Sequence, residues 1–259
     1  MNEWMTERAE KLRDFFGIDS ETEMLAPQVA ENFRISPQCA AQLERFNLEW
    51  HIIPSNEAVP IEADAYRMRL YPMVKHDPQP FDYRKTSSYQ AVINGHSRHQ
   101  GRIIGIETTR KPRYLPGNRQ FYGSPYGFDE RLDPFAQYFG RTTFLTGSRV
   151  VGTRYGHNYV SLRQLVNLIN DEWRAQSIMP PGFRLTICPP VVFNLIGTIF
   201  HPKWSETETL EIGFYRDEKD NAKCYAVGSN APGDFSYIRE IETDTDWTLL
   251  GFRMALVPE

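Results

Sequence analysis

Ser161-Leu162-Arg163-Gln164-Leu165-Val166-Asn167-Leu168-Ile169-Asn170-Asp171-Glu172-Trp173-Arg174 is the most regular stretch of the chain, and it stands between a helix-rich first two thirds and a strand-rich last third. Leu162, Leu165, Val166, Ile169 and Trp173 fall at i, i+3, i+4, i+7 and i+11, so a helix gathers them into one apolar stripe. Ser161 and Gln164 have the spacing of a capping box, which satisfies the first free amides of a helix. Pro180 and Pro181 end any continuation.

Downstream of this helix the pattern turns to strands. Phe183 to Ile187 reads as a strand stopped by Pro189-Pro190, and Val191 to Phe200 reads equally as a short helix or a buried strand. Thr209–Tyr215 and Lys223–Val227 are strand candidates joined by the polar turn Asp217–Asn221, which suits a hairpin. Thr248–Val257 reads as a closing strand.

Upstream, Met1–Phe16 has helical spacing, with Trp4, Leu12, Phe15 and Phe16 on its apolar side. Ser36-Pro37 supplies a cap followed by a first-turn proline and opens a helix ending near Phe46. Ala63–Met73 and Thr86–His96 also read as helices. Trp50–Ile53 is a short strand, and the Ile-rich run Arg102–Thr108 a buried one. From Thr109 to about Asn158 no regular element is legible, and a loop of that length is uncommon unless it is functional or holds hidden structure.

The fold class expected from this is α+β: a helical N-terminal two thirds with a long ordered central loop region, packed on a mainly antiparallel sheet from the C-terminal third. Residues 1–259 read as a single globular domain, with 1–100 as a helical N-terminal lobe.

Composition narrows the function classes. The 259 residues are 41% hydrophobic and 24% charged, an ordinary globular balance. No run of about 18 apolar residues exists, so no membrane contact is expected. The charged N-terminus lacks the apolar core of a signal peptide, there is no Asn-x-Ser/Thr sequon, and the three cysteines Cys39, Cys188 and Cys224 are far apart. A cytoplasmic protein without a disulfide framework is the expectation. The net charge of −4 hides a gradient. Met1–Pro60 has five Lys/Arg against eleven Asp/Glu, Arg98–Tyr155 ten against four, and Lys203–Glu259 six against twelve.

That basic middle is also rich in rings. Arg110, Lys111, Arg113, Arg119, Tyr122 and Tyr126 form its densest part and are the candidate ligand-binding residues. Guanidinium groups pair with phosphate or carboxylate oxygens in a fork, and rings offer faces for stacking. An anionic ligand, such as a nucleotide or another phosphate or carboxylate compound, is the partner this composition suits. Nucleic acid is the less favoured form of it, because the sequence pI is about 5.9. Glu107 at a strand end, His157 in Tyr155-Gly156-His157-Asn158-Tyr159 and His201 in Phe200-His201-Pro202 are candidate catalytic acids or bases, since imidazole titrates near neutral pH.

Gly95-His96-Ser97-Arg98-His99 places two histidines three apart, a spacing that one helix face can use for a metal, but no metal ligand set is assigned. No phosphate loop, dinucleotide turn, His-Glu-x-x-His helix or calcium loop is present. Cofactors are therefore unassigned.

Leu250-Gly251-Phe252-Arg253-Met254-Ala255-Leu256-Val257 resembles the closing strand of formylglycine-generating-enzyme-like domains over its eight residues. The Gly-Gly-Ser-Trp stretch those domains carry upstream is absent, so no fold, activity or residue is carried over. Three functional readings stand at this point: a binding protein for an anionic ligand through the central loop, an enzyme using a His/Glu acid–base site, and a subunit whose rings bury against a protein partner or a second copy.

Overall fold

The computed structural model describes residues 3–60, 98–109, 114–115, 119–120, 133–139, 154, 156–206, 210–216, 222–228, 238–244 and 250–259. Within them the chain is mixed α and β, with six helices and two four-stranded sheets.

The first sheet has the order β1 (Leu48–Ile53), β2 (Arg102–Glu107), β10 (Met254–Pro258), β5 (Phe183–Ile187), and every pairing in it is antiparallel. β2 is central because its isoleucines are buried on both faces, and a strand without a polar side has to be covered twice. Gly105 stands opposite Trp50. A Cβ there would sit 3.1 Å from Leu256 Cβ and 3.3 Å from the Trp50 ring, so the residue is small where the large indole crosses the sheet.

Helices cover both faces. On one side lie α1 (Glu3–Phe16) and α6 (Pro190–Ile199), sharing a core with Ile53, Ile104, Ile106, Ala255 and Val257. On the other lie α3 (Pro37–Arg45), the short α4 (Ala136–Phe139) and α5 (Tyr159–Ala175), packed with Leu48, Leu185, Ile187, Met254 and Leu256. Burying each such aliphatic side chain contributes about 1.5–3 kcal/mol before the entropy of ordering is subtracted. The remaining helix, α2 (Pro27–Asn32), is one of the short ones.

The second sheet has the order β8 (Ile238–Ile241), β7 (Ala222–Val227), β6 (Leu210–Arg216), β9 (Leu250–Phe252), with β6 and β9 parallel and the other pairs antiparallel. α6 lies against β6: a Cβ on Gly213 would be 2.8 Å from the Pro190 ring. A 3-10 turn, Pro202–Glu206, follows α6, and the small ribbon β3 (Tyr114–Leu115) with β4 (Arg119–Gln120) lies in the central region.

Several expectations are corrected here. The N-terminal two thirds is not mainly helical, and the sheet is not built from the last third: β1 and β2 pair with each other, and β2 with β10, because buried Ile-rich runs need neighbours on both edges. The closing strand is two strands, β9 and β10, broken at Arg253 and belonging to different sheets. The central stretch, expected to be irregular, contains β3, β4 and α4. Val191–Phe200 resolves as helix, begun by Pro190 at the first-turn position where its absent N–H costs nothing. The capping box of α5 uses Asn158 and Ser161, three residues earlier than read. Ser161 N–H donates to Asn158 Oδ1 at 3.0 Å, and Asn158 N–H donates to Ser161 Oγ at 3.1 Å. The helices expected over Ala63–Met73 and Thr86–His96 lie outside the described residues.

Candidate functional site

β5 is an edge strand, and α5 lies along its open side. Asn170 of α5 replaces the absent neighbour: its Oδ1 accepts the Leu185 N–H at 2.8 Å and its Nδ2 donates to the Leu185 carbonyl at 2.9 Å. With Asn170 thus occupied, the groove between helix and strand is lined by polar side chains of both elements beside core residues such as Leu185 and Val257. Arg184 and Thr186 alternate with the buried Leu185 and Ile187 on β5, while Arg163 and Asn167 project from the exposed side of α5. The turn before β2 adds Arg98 and His99. Together they enclose a cavity of about 250 Å³ whose wall includes Tyr159, set edge-on against Phe214 at 4.9 Å.

The electrostatics are one-sided. Four of the lining residues are arginine or histidine, and among the described residues none that lines the cavity is a carboxylate. Arg163 and Arg184 form no ion pair among the described residues. His99 registers the resulting field: burial, reinforced by the positive charges of Arg184, Arg98 and Arg102, pushes its imidazole down to about 4. A negative charge placed there would remove the electrostatic part of that penalty, and the exposed Arg98, Arg163 and Arg184 carry donors suited to forked hydrogen bonds with it.

The three expected acid–base residues are not assembled into one site. Glu107 is fully buried at the junction of the two sheets. Both its oxygens are engaged by Arg154, and Oε2 also accepts the Met254 N–H at 3.1 Å. Arg154 pairs with Asp133 as well, donates to the Phe252 carbonyl at 3.1 Å, and lies among the rings of Phe135, Phe139 and Phe252. Beside it, Arg253 donates to both oxygens of Glu211 at 3.1 and 2.9 Å, and to the carbonyls of Glu107 and Thr109 at 2.6 and 2.9 Å. This cluster joins β2 of one sheet to β6 of the other through the residue that separates β9 from β10.

His157 is buried with its Nδ1 3.3 Å from Ser161 Oγ and its ring edge-on to Phe252 at 5.3 Å. His201 lies elsewhere, stacked on Trp204 at 4.6 Å with its Nε2 3.5 Å from Glu49 Oε2.

Of the expected ligand-binding residues, Arg110, Lys111, Arg113, Tyr122 and Tyr126 lie outside the described residues. Arg119 is described only as a strand position, paired with Leu115 in the β3–β4 ribbon. No protein-family model matches the chain, and no curated protein or solved structure matches it either. The site therefore rests on its own geometry.

Arg98 and His99 were visible in the sequence, one within the basic middle and the other as half of the paired histidines. Arg163 and Arg184 carry no such signal. Each is an unremarkable polar position of an amphipathic element, and only the packing of α5 along β5 brings them together.

Among the described residues no helix is long and apolar enough to cross a membrane. The three cysteines are buried and unpaired, with Cys224 pushed up to about 12 by burial and by the charge of Glu240.

Proposed function

We propose that the protein binds a compact anionic ligand, a phosphate or carboxylate compound, in the groove between α5 and β5. The observation that carries this reading is the convergence of Arg98, His99, Arg163 and Arg184 on one cavity with no acidic lining residue among those described. A cavity of about 250 Å³ is smaller than the usual pocket for a drug-sized ligand, roughly 300–1,000 Å³, so a small head group suits it better than a polymer.

Isothermal titration with inorganic phosphate, pyrophosphate, a nucleoside monophosphate and citrate, at low and high salt, tests the assignment. Saturable binding of at least one of them is expected, weakening as salt rises. Arg163→Ala with Arg184→Ala should reduce the affinity at least about tenfold, equivalent to about 1.4 kcal/mol. Absence of binding to all four compounds, or binding that survives the double substitution, overturns the reading. Fluorescence anisotropy with labelled single-stranded and duplex nucleic acid forms a further arm; tight binding there that ignores Arg163 and Arg184 would move the anionic contact away from this groove.

A further inference from the structure

On the face of the first sheet that α1 covers, Glu49, His51 and His201 bring one ligand atom each to within 4.8 Å of one another. Glu49 and His51 are i and i+2 on β1, so the pleat points both to the same side. His201 arrives from a distant part of the chain and is held in place by its surroundings. Its N–H donates to the Ile196 carbonyl at 3.2 Å, its carbonyl accepts the Trp204 N–H at 3.0 Å, and its ring lies nearly parallel to the Trp204 indole. The His51 ring is set against Phe200 at 4.7 Å.

The notable feature is what these groups lack. His51 is 0% exposed, yet neither ring nitrogen has a hydrogen-bond partner among the described residues. His201 Nε2 is likewise buried and unpartnered. The Glu49 carboxylate lies beside both rings, with His51 Nε2 3.1 Å from Oε1 and His201 Nε2 3.5 Å from Oε2. Leaving a buried polar atom unmatched costs about 1–3 kcal/mol, and one carboxylate facing two imidazoles is an arrangement that an ion between the three would complete. Each imidazole lies against a different oxygen of the one carboxylate, at 3.1 and 3.5 Å, close to the separation of about 3.3 Å between ligand atoms around a tetrahedral ion at about 2.0–2.1 Å, and one donor atom from each of the three residues falls within 4.8 Å of the others.

We propose that Glu49, His51 and His201 are the protein ligands of a divalent transition-metal site, with zinc the ion their chemistry fits. Two neutral imidazoles and one carboxylate are a borderline-soft set that suits zinc over calcium or magnesium, which take oxygen ligands. The side chains of Glu49 and His201 retain 32% and 22% of their exposure while both Nε2 atoms are buried, so a fourth ligand would have to approach past the carboxylate. Arg8, which contacts Glu49 Oε1, is the outer partner that orients the carboxylate.

The experiment is a titration of the chelator-treated protein with zinc and, separately, cobalt, read by calorimetry and by competition with a chromogenic chelator. One equivalent of each metal is expected to bind. His201→Gln and Glu49→Gln, both at partly exposed positions and therefore compatible with folding, should each weaken zinc at least about tenfold. That is the lower end of what is lost when a group that merely orients a ligand is removed. His99→Gln, a histidine outside the cluster, should leave zinc affinity unchanged. No stoichiometric binding of either metal, or zinc affinity untouched in both His201→Gln and Glu49→Gln, overturns the proposal. The groove at α5 and β5 contributes no ligand to this site, so either assignment can fail without the other.

Discussion

Two buried polar clusters in this molecule make opposite use of burial. Around Arg154 and Arg253, two guanidiniums and the carboxylates of Glu107, Asp133 and Glu211 are all inside, and each has charged or backbone partners at hydrogen-bond distance. Around His51, an equally buried imidazole has no hydrogen-bonded ring nitrogen among the described residues, with the Glu49 carboxylate 3.1 Å from its Nε2. Trp204 stands between the two, with Arg253 over its ring at 3.8 Å and His201 stacked on it at 4.6 Å. The contrast separates roles that burial alone confounds. A buried charge with all its partners present holds the two sheets in register, and a buried donor set without partners is a site awaiting one.

The largest effect should come from breaking the satisfied cluster. Arg253→Ala strands the Glu211 carboxylate and two backbone carbonyls in the interior, and should lower unfolding free energy by about 3–5 kcal/mol in urea titration. A loss below about 1 kcal/mol would show that the junction between the sheets does not depend on this pair. Glu107→Gln keeps the shape but sets an amide against Arg154 and removes a charge. Because Arg154 retains Asp133, the expected loss is smaller, about 1–3 kcal/mol.

His99 provides a pH test of the groove. Its folded-state value is lowered from the ordinary 6.5 to about 4, so between those values the unfolded chain binds a proton that the folded protein does not. Stability is therefore full above about pH 6.5 and declines as pH falls toward 4. His99→Gln should flatten that slope, and a saturating anion should make the decline smaller, because easing protonation of the folded form brings its value back toward 6.5. Identical pH–stability curves for the two proteins would remove His99 from the account.

The smallest effect is expected at His51. In metal-free protein, His51→Leu gives up the contact with Glu49 but buries apolar surface in place of a polar ring, so stability should change by no more than about 1 kcal/mol in either direction. A loss comparable to that of Arg253→Ala would mean the imidazole is already partnered, and the contrast between the clusters would collapse.

Much of this architecture could be read locally. The stripe of Leu162, Leu165, Ile169 and Trp173 specified α5, the Ser36-Pro37 pair opened α3 at the residue read, and the hydroxyl of Ser36 accepts the Cys39 N–H at 3.1 Å. The runs Trp50–Ile53 and Arg102–Thr108 were legible as strands, as were both arms of the Asp217–Asn221 turn, because period and β-branching act over a few residues. Their partners were not legible. Nothing in Leu250–Val257 states that the chain changes sheets at Arg253, since that depends on a guanidinium reaching Glu211, 42 residues away, and the Glu107 carbonyl, 146 residues away.

The candidate sites divide along the same line. Sequence alone determined that the chain carries helices, strands and buried isoleucine runs, and that basic residues concentrate in its middle. These are consequences of local propensity and composition. Only the tertiary structure decided that Arg163 and Arg184 share a groove with His99, and that His201 closes on the Glu49–His51 pair of β1. Proximity between residues 150 positions apart follows from how elements pack, and packing energy is a property of the assembled core that no local stretch encodes.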